Sequence, residues 1–155
     1  MNLSKKANSI SPSITLEITG KANELKAQGV NVMSFAAGEP DFNTPIHIKK
    51  AAYEAIQNNF TKYSPVPGFL TLRESICNKL LRENGLLYSP QEILVSNGAK
   101  QSVCNAIFSL ISPGDEVIIP SPYYVSYPQM VNLAGGKSVF ISASMDNGFR
   151  ITPEQ

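Results

Sequence analysis

One stretch of the chain decides the fold class: residues 92–120, which read EILVSNGAKQSVCNAIFSLISPGDEVIIP. It begins with a short β-like run, Glu92 to Ser96, and ends with a compact apolar run, Glu116 to Pro120, that follows a turn. Between the two runs, apolar residues recur at helical spacing, as Ala99, Val103, Ala106, Ile107 and Leu110. The stretch therefore predicts a strand, a helix and a second strand.

The same alternation continues towards the end of the chain. A further helical segment follows the second predicted strand, and KSVFIS at residues 137–142 is a third apolar run after a glycine-rich turn. Strands that alternate with helices, through crossovers longer than hairpins, favour a parallel sheet covered by helices. We therefore expect an α/β fold with helices around a mostly parallel sheet.

An amphipathic helix is predicted near the start of the chain, over residues 14–28, with Gly29 as its stop. A short extended segment, residues 30–35, follows it. The next ten residues, AAGEPDFNTP, contain Gly, Pro, Asp and Asn and predict a loop.

Two more helices are predicted between this loop and residue 92. Thr44 is expected to cap the first of them, with Pro45 at its first helical position and its end at about Asn59. The second places apolar residues on one face from Phe69 onwards and stops at Gly85.

The composition is that of an ordinary globular domain. The 155 residues are 43% hydrophobic and 16% charged, and the formal charge of +1 gives no reason to expect nucleic acid or an anionic membrane as partner. No apolar run approaches the roughly 20 residues that cross a bilayer. Because MNLSKKANSISPS lacks the apolar stretch of a signal peptide, we expect a cytoplasmic protein.

The metal-binding and thiol residues give no functional signal. Cys77 and Cys104 lie in helical patterns and are interpreted as buried, reduced thiols. The single histidine, His47, is expected at the surface, and no His/Cys/Asp cluster suggests a metal site.

The junction SNGAKQS, residues 96–102, lies where ligands collect in open α/β sheets, at the carboxyl end of a strand. The free amides of a helix start, here Gly98, Ala99 and Lys100, can bind a phosphate, and a glycine lets the anion approach closely. By itself, a glycine at such a turn more often reflects ordinary turn geometry. Neither GxxxxGK[ST] nor GxGxxG is present, so the junction alone leaves both interpretations open.

Tyrosines follow the next strand, in PSPYYVSYP at residues 120–128, and another occurs in the proline-rich TKYSPVPG. Aromatic rings beside a phosphate site can stack on a planar ligand. Taken alone, these tyrosines are equally consistent with packing of a core or a loop.

Together, however, these segments resemble class I aminotransferases, the pyridoxal-phosphate enzymes of fold type I. Four motifs occur in the order and spacing of that family: PSITLEITGKANELKAQGVNVMSFAAGEPDF, KYSPVPGFLTLRESI, SNGAKQS and PGDEVIIPSPYYVSYPQMVNLAGG. The pattern is most similar to the bacterial-type aspartate aminotransferases, some of which also accept prephenate. The resemblance implies transamination between an amino acid, aspartate first, and a 2-oxo acid such as 2-oxoglutarate.

The resemblance also implies a pyridoxal 5'-phosphate site. Gly98, Ala99 and Lys100 match the positions whose amides bind the cofactor phosphate, and Tyr124 matches an aromatic position, often Trp, that stacks on the pyridine ring. Tyr63 matches a tyrosine that reaches the phosphate bound by the neighbouring subunit, which implies a homodimer.

A substrate site is implied in the same way. Gly38 matches the glycine whose backbone approaches the substrate α-carboxylate, and Lys100 matches a lysine that recognises the distal carboxylate of dicarboxylic substrates. Ser13 and Thr15 match N-terminal positions that close over the substrate. A solvated lysine in the first turn of a helix is the alternative for Lys100.

The family motifs that carry catalysis are absent from these 155 residues: an Asn-Asn-Pro segment, an Asp two residues before a Tyr, the Schiff-base lysine of a Ser-Lys pair, and a late arginine. We therefore expect the N-terminal part of an aminotransferase, inactive by itself. It would comprise an arm and helix at 1–29, on the small-domain side, and the first part of the cofactor-binding large domain at 30–155. The alternatives are half of a split enzyme and a binding or dimerisation module. A flavodoxin-like binder would not explain Gly38, Tyr63 and Tyr124 together.

Overall fold

The computed structural model describes residues 2–155 and divides the chain into two compact units. One unit combines the chain up to Gly38 with Gly98–Gln155, and the other comprises Glu39–Asn97. The helices are α1 (Lys5–Asn8), α2 (Ile14–Ala27), α3 (Ile46–Gln57), α4 (Leu70–Asn84), α5 (Gly98–Leu110) and α6 (Ser126–Ala134); the strands are β1 (Glu116–Ser121) and β2 (Lys137–Ser142).

A parallel β–α–β unit forms the centre of the first unit. Strands β1 and β2 pair in parallel from Glu116 opposite Lys137 to Ser121 opposite Ser142, and α6 connects them. Helix α6 contacts both strands and α5. Its Met130 and Val131 are buried together with Ile119 of β1, and this apolar contact holds the helix on the sheet. The predicted α/β architecture with a parallel sheet is confirmed.

The predicted N-terminal helix is also confirmed, as α2. The Ser13 hydroxyl accepts the backbone N–H of Leu16 at 3.4 Å, which satisfies one of the free donors of the helix start. The chain leaves the helix at Gly29 with φ +81°. The short helix α1, which no sequence pattern predicted, precedes it.

In the second unit the helix starts differ from the prediction by one position. Pro45, not Thr44, is the N-cap of α3, and no side chain caps that helix. The ψ of 143° at Pro45 is extended, so the proline lies outside the first turn. Helix α4 ends as predicted, with Gly85 in the left-handed conformation at φ 67°.

The strand predicted at Glu92–Ser96 is wrong. Glu92 closes a 3₁₀ turn, Pro90–Glu92, because its carboxylate accepts both the backbone N–H and the hydroxyl of Ser89 at 2.8 Å. Ile93 is extended, but residues 93–96 form no strand; the Val95 N–H donates to the Pro67 carbonyl at 3.0 Å. Residues 30–35, expected as a short extended segment, contain neither helix nor strand.

Arg73 fixes the path of the chain around this turn. Its guanidinium donates to the carbonyl oxygens of Gly68, at 3.1 Å, and Pro90, at 2.6 Å. Cys77 and Cys104 are free thiols, but each is half-buried where the sequence predicted burial. Within residues 2–155, no helix is both long and apolar enough to cross a membrane.

Candidate functional site

A cleft of about 620 Å³ in the first unit brings together four of the predicted site residues: Ser13, Thr15, Lys100 and Tyr124. One wall is the segment just before and at the start of α2, and the other is the loop and first turn between β1 and α6. The remaining lining residues are Ile10, Ser11, Pro12, Ile14, Leu16, Tyr123, Val125, Ser126, Pro128 and Gln129. The cleft therefore joins residues that are more than 100 positions apart in the sequence.

The junction residues form the first turn of α5, as the sequence predicted. The helix begins at Gly98, which has φ +79°, and a Cβ at this position would meet no atom within 4 Å. Gly98, Ala99 and Lys100 are all exposed. A helix start presents unpaired N–H groups and a partial positive charge, so this turn can receive an anion.

Lys100 and Tyr124 contact each other in the lining of the cleft. The Lys100 ammonium lies 5.5 Å from the centroid of the Tyr124 ring, within the range of a cation–π contact. Hydrogen bonds to the phenol oxygen, from Ser126 first and then from Lys100, lower the pKa of Tyr124, and the positive charge of Lys100 adds to this. The ring is 48% exposed, which leaves aromatic surface for a planar ligand.

Neighbouring rings support the tyrosine loop. Tyr127 meets Tyr124 edge-on, with ring centroids 5.6 Å apart at 77°. Tyr123 stacks on Phe140 of β2 at 5.1 Å and 23°. An apolar cavity of about 630 Å³ lies against the same tyrosines and is lined further by side chains of α5, β1 and α6. These aromatic contacts fix the loop that carries Tyr124.

Ser13 and Thr15 also have local structural roles. Ser13 caps α2, and the Thr15 carbonyl accepts the Thr19 hydroxyl at 2.8 Å. The Ser13 side chain is exposed and that of Thr15 half-buried. Both hydroxyls therefore lie at the end of α2 that borders the cleft.

Gly38 and Tyr63 are not among the residues that line this cleft. Gly38 is exposed and has open space where a Cβ would lie. Tyr63 belongs to the second unit, where its side chain is fully exposed in a separate depression of about 480 Å³ with Thr61, Lys62 and Ser64. Their roles remain predictions.

Sequence reasoning missed Ser126, Gln129 and Ile10. The hydrogen bond from Ser126 is the largest single cause of the lowered pKa of Tyr124, and Gln129 lines the cleft with its amide oxygen buried. Ser126 and Gln129 are polar residues three apart at the start of α6, a spacing that places both on one helix face. This spacing is the signal that could have identified them. No group of three or more His, Cys, Asp or Glu side chains suited to a metal occurs within residues 2–155.

A family model described as "Aminotransferase class I and II" matches residues 30–155. The aspartate/prephenate aminotransferase of Nitrosomonas europaea is 53% identical over 155 residues, which are 100% of this chain and 39% of that protein. The aspartate aminotransferase of Geobacillus stearothermophilus is 50% identical with the same coverage.

Solved structures give the same result. The structure of aspartate aminotransferase from Thermus thermophilus with maleate superimposes with a TM-score of 0.95 at 45% identity, over 99% of this chain and 40% of that one. The aspartate aminotransferase from Rhizobium meliloti gives a TM-score of 0.91 at 44% identity, over 99% and 38%. The chain spans about two fifths of the length of the curated relatives it matches.

Proposed function

Because this chain belongs to the class I and II aminotransferase family, we propose that the protein containing it transfers the amino group of aspartate to a 2-oxo acid such as 2-oxoglutarate. One observation carries the proposal: the cleft unites Lys100, Tyr124 and the two N-terminal hydroxyl residues, Ser13 and Thr15. Positions inferred separately from the family pattern thus belong to one concave site with polar and aromatic groups.

The cofactor of the proposed reaction is pyridoxal 5'-phosphate. The first turn of α5 suits its phosphate, because Gly98, Ala99 and Lys100 are exposed residues at a helix start and no Cβ at Gly98 obstructs their amides. The half-exposed ring of Tyr124 suits its planar pyridine. When bound, the cofactor supplies an electron sink that makes the α-proton of an amino acid acidic.

Lys100 has two separable tasks in this proposal. Its backbone N–H belongs to the anion-binding turn, whereas its ammonium lies at the end of a flexible stem above Tyr124. The ammonium would bind the distal carboxylate of a dicarboxylic substrate through charge-assisted hydrogen bonds. Two observations support this preference: the relatives are named for aspartate, and the Thermus enzyme was solved with maleate, a dicarboxylate.

Ser13, Thr15 and Gly38 complete the proposed substrate site. The hydroxyls of Ser13 and Thr15 would orient the substrate from the N-terminal wall of the cleft and exclude water from it. Gly38 would contribute backbone atoms to the α-carboxylate, and its exposed, unobstructed backbone allows such an approach.

The proposed enzyme is a homodimer in which Tyr63 serves the site of the other subunit. The complete exposure of this large ring, in a proline-rich loop, supports a role outside its own unit. Mixing an inactive Tyr63→Phe protein with an inactive Tyr124→Ala protein should restore activity, because mixed dimers contain one intact site. Activity no greater than that of the two separate proteins would contradict the shared site.

A coupled assay tests the reaction itself. The full-length gene product, loaded with pyridoxal phosphate, should form oxaloacetate from aspartate and 2-oxoglutarate. Malate dehydrogenase reduces the oxaloacetate with NADH, so the loss of NADH absorbance measures the rate of the reaction. Residues 1–155 alone should form none, because the family pattern places the Schiff-base lysine in a later motif. A full-length product that binds the cofactor without transferring amino groups would favour the binding-module alternative, and activity restored by a second polypeptide would favour the split enzyme.

A further inference from the structure

The segment before α2, residues 2–13, is held weakly although its last residues line the cleft. None of its residues is buried, and α1 within it is only four residues long. The hydrogen bonds around α1 are largely local, such as the Ser4 hydroxyl accepting the Ala7 N–H at 3.1 Å. We call residues 2–13 the N-terminal arm. Local contacts of this kind do not determine where the arm lies on the rest of the unit.

Asn132 of α6 makes the long-range contact that determines where the arm lies. Its side-chain Nδ2 donates to the Ser9 carbonyl at 3.1 Å and to the Ser9 hydroxyl at 3.3 Å, across 123 positions of sequence. Ser9 is itself well defined, because its N–H caps α1 and its hydroxyl donates to the Lys6 carbonyl at 2.9 Å. Asn132 is itself exposed, but it follows Met130 and Val131, which are 5% and 1% exposed and hold α6 in the core.

Two fixed points therefore bracket the segment that borders the cleft. Ser9 is bound to α6 at one end, and α2 begins at Ile14 at the other. The four residues between them span at most about 14 Å of extended chain. All four line the cleft opposite Lys100 and Tyr124. Release of Ser9 would free one end of this wall.

We propose that Asn132 is a positioning residue: by binding Ser9 it holds the N-terminal arm in place as the wall of the cleft opposite Lys100 and Tyr124. Asn132 does not line the cleft, so it acts through the arm and not on a ligand. Gln129, one turn earlier on the same helix, lines the cleft beside the arm, which shows that this face of α6 is where the arm lies.

Limited proteolysis tests the contact independently of any activity. Trypsin cuts after Lys5 or Lys6 only when the chain around them, including Ser9, opens into an extended form. In the full-length protein, Asn132→Ala should raise the rate of this cleavage about three- to tenfold, the expected effect of losing one hydrogen-bonded contact. Alanine favours helix more than asparagine does, so weakening of α6 would not explain the change.

Asn105→Ala is the matched control. Asn105 is an exposed asparagine of α5 and takes no part in the cleft or in the arm contact. This variant should be cut at the wild-type rate. Equal cleavage rates for Asn132→Ala, Asn105→Ala and the wild type would overturn the proposal.

The effect on the substrate rests on the proposed function and is measured separately. With Asn132→Ala, KM for aspartate should rise about threefold or more while kcat stays within about twofold, because the arm contributes to binding and not to proton transfer. Faster cleavage with an unchanged KM would show that the contact exists but does not shape the site, which overturns the positioning role. A full-length protein without aminotransferase activity would refute the proposed function and leave the cleavage result as the test of the arm contact.

Discussion

The ammonium of Lys100 lies 5.5 Å from the centroid of the Tyr124 ring and also lowers the pKa of its phenol. Lys100 comes from the first turn of α5 and Tyr124 from the loop between β1 and α6, so the contact joins a helix start to a strand-to-helix connection. This pair places a cation and an aromatic face beside the amides of a helix start. Lys100 and Tyr124 line the cleft, whereas Gly98 and Ala99 are not among its lining residues, so the cation and the aromatic face are the contacts that the cleft itself offers to an anionic, planar ligand.

The first prediction concerns ionisation of Tyr124. Because Ser126 and Lys100 lower the pKa of its phenol, Tyr124 should lose its proton below the value of about 10 usual for tyrosine. Ser126→Ala and Lys100→Met should each raise this pKa, because each substitution removes a hydrogen bond to the phenol oxygen, and Lys100→Met also removes a positive charge. Near-ultraviolet difference absorbance against pH measures the phenolate, and Tyr124→Phe identifies the transition.

The lowered pKa of Tyr124 also makes the stability of the folded state depend on pH. A phenol whose pKa is lower in the folded state stabilises that state fully above the unfolded value of about 10, and this contribution is lost as pH falls through the folded pKa. Identical titration curves for wild type, Ser126→Ala and Lys100→Met would contradict the contacts of the phenol oxygen.

The second prediction concerns substrate preference in the full-length protein. Lys100→Met should lower kcat/KM for aspartate by about 10- to 100-fold, the usual effect of losing one charge-assisted hydrogen bond to a carboxylate. The loss for alanine and for aromatic amino acids should be several times smaller, since these substrates have no distal carboxylate. Steady-state kinetics with each amino donor measure the difference.

Lys26→Met is the control for this charge change. Lys26 is exposed in the last turn of α2, eleven residues beyond Thr15, so it lies about 16 Å along the helix from the cleft. It should leave the ratio of aspartate to alanine activity unchanged. If Lys100→Met reduces both activities equally, Lys100 does not determine specificity.

The sequence predicted the parts of the structure that local patterns determine. Helix α5 begins at the predicted glycine, and the α4 stop at Gly85 is correct, because both depend on a glycine at a positive φ beside an apolar stripe. A local pattern also indicates the turn that replaces the strand predicted at Glu92–Ser96. Ser89 and Glu92 have the spacing of a capping box, which closes the 3₁₀ turn.

Long-range relations were not predictable from local patterns. The approach of Lys100 to Tyr124 depends on how α5 and β1 lie in the unit, and the family pattern supplied that pairing only indirectly. Nothing in the sequence indicates that Asn132 binds Ser9, since the two residues are 123 positions apart and no local pattern connects them. Such contacts require the folded chain.

The third prediction concerns backbone geometry in the second unit. Gly68 has φ +96°, and a Cβ there would lie 2.7 Å from Cγ2 and 2.9 Å from Cβ of Val95. Gly68→Ala should therefore reduce the free energy of unfolding by at least about 2 kcal/mol, from strained backbone together with overpacking. Urea unfolding measures it.

Gly20→Ala is the contrasting substitution for this test. Gly20 lies inside α2, where a Cβ would meet nothing within 4 Å. Alanine should stabilise the protein here by about 0.5–1 kcal/mol, because glycine loses more backbone entropy in a helix. Similar unfolding curves for both variants would show that the close approach of Val95 to Gly68 is absent.

The last prediction separates the two roles of Ser13, as helix cap and as wall of the cleft. Aspartate is as good an N-cap as serine, so Ser13→Asp should keep the stability of α2, whereas Ser13→Ala should lose about 1 kcal/mol. In the full-length protein, however, the added carboxylate of Ser13→Asp would repel a dicarboxylic substrate. KM for aspartate should rise about tenfold and KM for alanine much less.

Ser4→Asp is the matched control for Ser13→Asp, because Ser4 caps α1 in the same way and does not line the cleft. An aspartate KM that responds equally to both substitutions would place Ser13 outside the substrate site and leave it the capping role alone.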